Sequence, residues 1–397
     1  MPSRFRLAAV LIALLALALA WPGRPQPALA RQNGPELCLG LVATFSGEGF
    51  RTGRDALEAA RFAVEAAQAA GLPAIDGKPC RVTLFPADDK DSPAEAARAV
   101  RDLVAHKKVS AVIGPYPSGL ANAAALAADA AGVPLVAPSA TAAVVTAGRP
   151  HIFRIAFTDA FQGLVLGRLA RQELRLSRVT VIANGDSLSS ASLSKAFIEA
   201  FIACGGQARL FTYADRDRDF AGLLEKALAA KPQALFLPNA TKEAVLLALA
   251  ARKQGFTGTL LGGDTWDGRE VARLAAFNGA YFVAHWREGA PGERSRAYVA
   301  AFRAARKRPP TEIGALTQDA VDVVLAAVSR AGSTAPKALT EALMALPPHD
   351  GVTGTFDFVD DGNPVKSLCI TRVADGGTNL ETHVLPPPAP CQPATAP

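Results

Sequence analysis

The chain of 397 residues is poor in the groups that announce catalysis, metal binding or contact with nucleic acid. Its five histidines, His106, His151, His285, His349 and His383, are widely spaced, and neither His-Glu-x-x-His nor Gly-x-Ser-x-Gly occurs. The two commonest local signatures of a hydrolase, a zinc-binding helix and a nucleophile elbow, are therefore missing. Five cysteines include no Cys-x-x-Cys pair of the kind that holds a metal, and no cofactor or metal is expected. Excess charge is scarce too. Lys+Arg number 42 against 36 Asp+Glu, and three of the basic residues, Arg4, Arg6 and Arg24, fall in the first thirty positions, so that 39 face 36 beyond them, a net +3. Both signs are interspersed, which leaves no electrostatic footprint for nucleic acid. Beyond the N-terminus, no segment is apolar and long enough to span a membrane.

What is present begins with a leader. Arg4 and Arg6 precede the apolar run Leu7 to Ala20, a Pro/Gly-rich stretch follows, and Ala28-Leu29-Ala30 is a small-x-small cleavage site. Residues 1–30 read as a secretory signal peptide, because an uncleaved anchor needs roughly 18 apolar residues. Cys38 follows Pro-Glu-Leu and not the small-residue box of a lipidated cysteine. Export makes disulfides possible. Cys38 and Cys80 each open a predicted strand, eight residues before Ser46 and Asp88, so neighbouring strands would place them level. The alternative is two small buried hydrophobes. Cys369 with Cys391 is a second candidate pair, which leaves Cys204 as an odd thiol at a helix end.

With 50% hydrophobic composition the chain can bury more than one core, and two domains is the prior for its length. From Leu37 onward, short apolar runs such as "LCLGLVATF", "CRVTLFPADD", "VSAVIGP" and "VPLVAP" alternate with amphipathic stretches at Thr52–Ala70, Ser92–His106 and Ser118–Ala131. Ser92-Pro93 with Glu95 marks a helix start. The alternation restarts after "HIFRIAF", with strands at "RVTVIANG", "GQARLFTYAD", "PQALFLPNA" and "GTLLGGDTW" and helices at Ser189–Cys204, Phe220–Ala230, Thr241–Gln254 and Arg269–Ala276. "GAYFVAHW" follows, then helices at Glu293–Arg308, Ile313–Arg330 and Lys337–Leu346 and a hairpin turned by Asp361 and Gly362. The pattern predicts an α/β fold of two Rossmann-like lobes, each a parallel-core sheet with helices on both faces. The Pro-rich residues 386–397 read as a disordered tail.

Gly47, Gly49 and Gly53 after the first strand raise the question of a phosphate cradle. Their spacing is one residue longer than the dinucleotide fingerprint, and Asp88 lies too far on to hold a ribose. The same stretch, "FSGEGFRTGRDALEAA", resembles instead the first block of the type I periplasmic substrate-binding proteins of ABC importers, of the branched-chain amino acid type. The other blocks follow in family order: "DDKDSPAEAARAVRDLV", "VSAVIGPYPSGLANAAA", "GVPLVAPSATAAVVT", "IFRIAFTDAFQG", "DFAGLLEKALAAKPQALFL", "GGDTWD" and "GTFDFVDDGNPVKS". The resemblance covers nearly the whole mature chain.

It implies two lobes, 36–156 plus 287–347 and 157–286 plus 348–385, joined by three crossings near Phe157, Trp286 and Thr353, and a ligand held in the interlobe cleft. Ser46 and the glycines after it become one wall of that cleft. Asp88 and Asp89 are left to bond nearby backbone N–H groups. Ser118, in "GPYPSG", and Ser139, Ala140 and Thr141, in "SATA", match the positions that hold a ligand carboxylate; Ser118 also stands where a helix begins and would serve as its cap. Asp264 matches the acidic partner of the ammonium. Where relatives carry aromatic residues, this chain has Leu188 and, next to Asn239, Ala240, so Tyr116 and Trp266 are the aromatic surfaces left for the cleft. The expected protein is a monomeric periplasmic binder, not an enzyme, that gives a small ligand, an amino acid or a related compound, to an inner-membrane permease. A ligand-sensing module on the same fold is the alternative, and an exported hydrolase a more distant one.

Overall fold

The computed structural model describes residues 34–217, 219–359 and 361–385. The expected signal peptide, the Pro-rich tail and Cys391 lie outside them. Among the described residues no helix is long and apolar enough to cross a membrane.

Five strands, β1 (Glu36–Ala43), β2 (Arg81–Asp88), β3 (Ala111–Ile113), β4 (Leu135–Ala137) and β5 (Ile152–Arg154), form one sheet in the order β2-β1-β3-β4-β5. Every pairing is parallel. Parallel neighbours need a crossover, which α1 (Phe50–Ala70), α2 (Pro93–Asp102) and α3 (Ser118–Ala130) supply. Both faces are covered, so the strands read as continuous apolar runs. Leu37, Leu39 and Leu41 pack with Ala60, Val321 and Val324, while Val42 and Val112 pack with Ala121 and Ala124.

The second sheet has seven strands: β6 (Arg178–Asn184), β7 (Gln207–Tyr213), β8 (Ala234–Leu237), β9 (Thr259–Gly262), β10 (Tyr281–Ala284) and, late in the chain, β14 (Leu368–Ala374) and β15 (Gly377–Val384). Their order is β15-β14-β10-β9-β8-β6-β7, the first five in sequence parallel and the last two antiparallel at one edge. Around it lie α4 (Asp159–Arg168), α5 (Leu188–Ala203), α6 (Ala221–Ala229), α7 (Thr241–Lys253) and the single turn α8 (Gly268–Val271). The later helices α9 (Glu293–Arg306), α10 (Glu312–Ala331) and α11 (Pro336–Met344) follow β10, and α10 joins the core of the first sheet. Small strands β11 (His349–Gly351), β12 (Gly354–Phe358) and β13 (Pro364–Val365) lead back to β14. The chain thus passes between the sheets three times: after β5, after β10 and before β14. The hairpin at Asp361 and Gly362 forms as expected, with Val359 and Asn363 paired across it and Gly362 at φ 71°.

The early glycines have a packing cause. A Cβ on Gly53 would lie 2.0 Å from the Thr44 carbonyl oxygen, so α1 approaches the end of β1 more closely than any side chain allows. Gly163 and Gly167 do the same for α4, whose missing Cβ atoms would fall 2.5 Å from the Ala196 carbonyl carbon and 2.8 Å from the Ala200 Cβ of α5.

Sequence and structure part at several points. The stretch expected as one helix over Arg269–Ala276 is the single turn α8, capped by Asp267, and a separate 3₁₀ turn at Ala275–Phe277 that delivers Phe277 to the core. The helix α4 carries no amphipathic stripe by which to read it, because Asp159, Gln162, Gly163, Val165, Leu166 and Gly167 are all buried. The Cys38–Cys80 pair does not form: both are free thiols, as is Cys369. The register explains it. Cys38 stands opposite Thr83 and Ala43 opposite Asp88, which leaves Cys80 before the strand begins and not level with Cys38. With Cys369 free, the second candidate pair fails as well, and Cys204, expected as the odd thiol, is disulfide-bonded.

Candidate functional site

At the carboxyl end of β3, Ser118 is the first residue of α3 and 2% exposed. It does not cap its own helix. Its Oγ accepts the backbone N–H of Thr141 at 3.2 Å and of Ala142 at 3.3 Å, tying the loop after β4 to the start of α3. The Ser139 hydroxyl donates to the Tyr116 carbonyl at 3.0 Å. Arg154, fully buried at the end of β5, holds the rest of this loop by donating to the carbonyls of Ala140 and Ala142 and to the Thr146 hydroxyl. Burial brings its pKa down to about 10, against the pull of the Asp159 and Asp361 carboxylates.

From Thr141 the hydrogen bonds continue into α4, beside the second sheet. The Thr141 carbonyl accepts the Asp159 N–H at 3.1 Å. The Asp159 carboxyl is 3% exposed, and its Oδ2 has no protein partner. Desolvation, with Asp264 nearby, raises its pKa to about 7, while hydroxyls of Ser192 and Thr141 and the charge of Arg154 pull the other way. Three residues along α4, Gln162 offers its Nε2 to Asp264 Oδ1 at 2.9 Å and to Asp159 Oδ1 at 3.5 Å, and its Oε1 accepts the Asp264 N–H. Asp264 follows β9 after two glycines. A Cβ on Gly263 would meet Leu193 at 2.4 Å and Gln162 Oε1 at 3.0 Å, so glycine there lets the amide reach the carboxylate. The other oxygen, Asp264 Oδ2, lies 3.1 Å from His285 Nε2. Glu312 at the start of α10 then accepts the N–H groups of His285 and Trp286. A continuous hydrogen-bonded path runs from Ser118 to Glu312. Desolvation raises the Glu312 pKa to about 8, with Asp264 and Asp267 adding to it.

The path unites Ser118, Thr141 and Asp264 among the residues singled out in the sequence. The others are engaged elsewhere. Ser46 is exposed and donates to Asp88 Oδ2 at 2.6 Å. Asp88 also accepts N–H groups of Phe45, Ser46 and Lys90, and Asp89 accepts from Thr44 and Asp91, the local bonding expected of both. Tyr116 is buried, with its hydroxyl 2.8 Å from that of Thr317. Trp266, 2% exposed, donates its indole N–H to the Leu237 carbonyl and meets Phe277 edge to face. Asn239 spends its amide on the N–H of Asn184, the hydroxyls of Ser190 and Tyr213 and the carbonyl of Ile182. Leu188, first residue of α5, is half-buried against the first-sheet cluster that contains Ala137 and Ala142.

One acidic cluster among the described residues, Asp319, Asp322 and His349, has metal-ligand spacing. Its oxygens are already in use: Asp319 accepts the N–H groups of Val352 and Thr353 and the Thr353 hydroxyl, and Asp322 pairs with Arg294 at 2.6 Å.

The sequence profile of the family described as "Periplasmic binding protein" matches residues 36–378. This chain belongs to that family. Capture of a small solute is the function that goes with membership. An amino acid binding protein of Pseudomonas aeruginosa is 27% identical over 242 residues, which cover 60% of this chain and 63% of that protein. Among solved structures, a leucine binding protein of Thermotoga maritima has a TM-score of 0.83 at 29% identity and covers 88% of this chain and 99% of its own. The branched-chain amino acid transporter substrate binding protein of Streptococcus pneumoniae, in complex with isoleucine, has a TM-score of 0.79 at 29% identity, with coverage of 88% and 99%.

Four residues of the path, Asp159, Gln162, His285 and Glu312, and Arg154 that braces its loop, were not singled out by the sequence. Asp159 and Gln162 had a signal: Thr158 caps α4 by accepting the Phe161 N–H, and an acidic residue in the first turn after a threonine marks a helix start. His285 had none, since nothing local distinguishes a histidine that ends a strand.

Proposed function

We propose that the protein binds an amino acid through both of its charged groups, the carboxylate at Ser118 and Thr141 and the ammonium at Asp264 and Asp159. The observation that carries this reading is the division of chemistry along one hydrogen-bonded path, with hydroxyls and N–H groups at one end and two carboxyl groups sharing the Gln162 amide at the other. An oxygen that accepts two N–H bonds keeps its own O–H to give, so Ser118 is a donor toward a carboxylate. The buried Asp159 Oδ2 has no hydrogen bond of its own, although the hydroxyls of Ser192 and Thr141 face the carboxyl, and an ammonium would supply that oxygen a donor. Names of the relatives, with leucine and isoleucine among the ligands, support the same class.

In this reading the two sheets with their helices act as lobes, 36–156 plus 287–347 and 157–286 plus 348–385, and ligand contacts in both favour the closed form that an inner-membrane permease accepts. Closure requires a ligand that binds the closed state more tightly than the open one. The protein works as a periplasmic monomer, exported by cleavage of residues 1–30. Leu188 gives the ligand side chain an aliphatic neighbour where relatives offer an aromatic one.

A thermal-shift screen of the ligand-stripped mature protein against amino acids and their deaminated acids tests the reading. Ligand at about 100 times its dissociation constant stabilises by roughly 2.7 kcal/mol. At least one amino acid is expected to raise the melting temperature while its deaminated analogue does not. A response confined to compounds without an amine would reject the amino acid and keep the solute-binding role.

A further inference from the structure

Resting on the amine reading above, we propose that His285 is the positioning residue that couples the amine-binding carboxylate Asp264 to the chain passages between the two sheets, and that protonation of its imidazole releases a bound amine. His285 ends up in the second passage, directly after β10, with its side chain 2% exposed. Three contacts fix it. Its Nε2 lies 3.1 Å from Asp264 Oδ2. Its ring stacks on Phe157, in the first passage, with centroids 4.0 Å apart and planes at 28°. Its backbone N–H is bound by Glu312, which also accepts the Trp286 N–H at 3.3 Å. The side chain therefore touches the amine partner Asp264 and a residue of another passage, while the backbone of the same residue is tied to the start of α10.

The tautomer follows from the partners. Asp264 Oδ2 is an acceptor, so the neutral ring carries its proton on Nε2, and Nδ1 is left buried with no hydrogen-bond partner. A second proton on Nδ1 would find no acceptor there. Burial accordingly lowers the histidine's pKa, which Asp264 opposes and the nearby cation Lys366 reinforces. The groups facing it are Asp264; Glu312, raised to about 8 by burial; Lys366, lowered to about 8 by burial; and, beyond Asp264, Asp159, raised to about 7. While the ring is neutral, it orients Asp264 without cancelling its charge. Once protonated, the imidazolium is itself the cation of Asp264 and competes with the ligand's ammonium for the same carboxylate.

The test uses the mature protein and, as probe, the amino acid giving the largest shift in the thermal screen. Dissociation constants are measured by calorimetry from about pH 5 to about pH 7.5 for wild type, His285→Ala and His285→Gln. Glutamine can still donate to Asp264 but does not titrate. At about pH 7.5 the alanine variant is expected to bind about tenfold more weakly and the glutamine variant within about threefold of wild type. On acidification, log affinity of wild type should fall more steeply than that of His285→Gln, by up to about one proton. If His285→Ala does not fold, the glutamine slope decides, together with the wild-type tautomer read by ¹⁵N-histidine NMR, where protonation at Nε2 is expected. Coincident slopes, or a neutral ring protonated at Nδ1, would overturn the role of His285 while leaving amine binding intact. A wild type that binds no amino acid would fail the amine reading first, and the histidine's role with it.

Discussion

The two ends of the hydrogen-bonded path, proposed above as the ends of the site, are built in opposite ways. At the Ser118 end, the groups come from two loops that follow adjacent parallel strands, and each is held by backbone: Ser118 by the N–H groups of Thr141 and Ala142, Ser139 by the Tyr116 carbonyl. At the Asp264 end, side chains hold side chains, with Gln162 and His285 each taking one oxygen of the carboxylate. The first end offers neutral hydroxyls and N–H groups on loops that parallel strands place, with the buried Arg154 bracing the loop from beneath. The second is charged and depends on residues about a hundred positions apart in the chain. Strand ends can therefore be read for the first and for Asp264, whereas the partners of Asp264, Gln162 and His285, come together only in the folded chain.

This contrast predicts unequal losses. Removing a partner of a buried charge costs about 2–5 kcal/mol, so Asp264→Ala should weaken an amino acid ligand by well over tenfold. Calorimetry showing wild-type affinity in the variant would dissolve the charged end. At the neutral end, Thr141→Val removes a hydroxyl hydrogen bond to a charged group and should cost about 1.5–3 kcal/mol of binding, with a smaller change in the unfolding midpoint. An affinity unaltered in a normally folded Thr141→Val would take Thr141 out of the site.

The pH dependence sharpens the comparison, because the charged end titrates. Asp159 has its pKa raised to about 7 in the ligand-free fold, and an ammonium beside it favours the carboxylate. Binding below neutrality then releases a proton, so affinity climbs as pH rises toward about 7, by at most about tenfold per unit for this group, and levels off above. For folding the sign is reversed: between about pH 4 and 7 the folded state keeps a proton that the unfolded chain has lost, so Asp159 contributes less stability as pH rises through that window. Titrations in buffers of different ionisation enthalpy at about pH 6 read the released proton; none released, or one taken up, would contradict the placement. The smallest effect belongs to Lys242 and Glu48, which form an ion pair at 2.7 Å between α7 and the loop after β1, with side chains 53% and 71% exposed. Lys242→Ala should change affinity by less than about 1 kcal/mol, and a larger loss would mean that the rim, not the hydrogen-bonded path, dominates capture.

Much of this was legible in the sequence. The parallel sheets follow from apolar runs spaced by helical patterns, and the family's blocks and the strand ends pointed to Ser118, Thr141 and Asp264, which the structure joins on one hydrogen-bonded path. The register of β1 on β2 was not: the ion pair of Glu36 with Arg81 and the Thr83 hydroxyl on Glu36 set it, contacts that join residues far apart in the chain, and the cysteine pairing fell with it. Helix α4 was hidden by its own burial, which erases the periodic stripe, and with it went Asp159 and Gln162. Tyr116 and Trp266, read from their places next to strand ends, are both buried, and Gly262, whose Cβ would sit 2.3 Å from the Trp266 ring, makes room for that ring in the core.

The central claim is that the path from Ser118 to Asp264 is read by a zwitterion in one orientation. A crystal structure of the mature protein with its strongest amino acid hit tests it most directly. The account predicts the ligand carboxylate within hydrogen-bond reach of the Ser118 and Thr141 groups and its ammonium against Asp264 and Asp159. A ligand bound in the opposite sense, or away from both ends of the path, would contradict it.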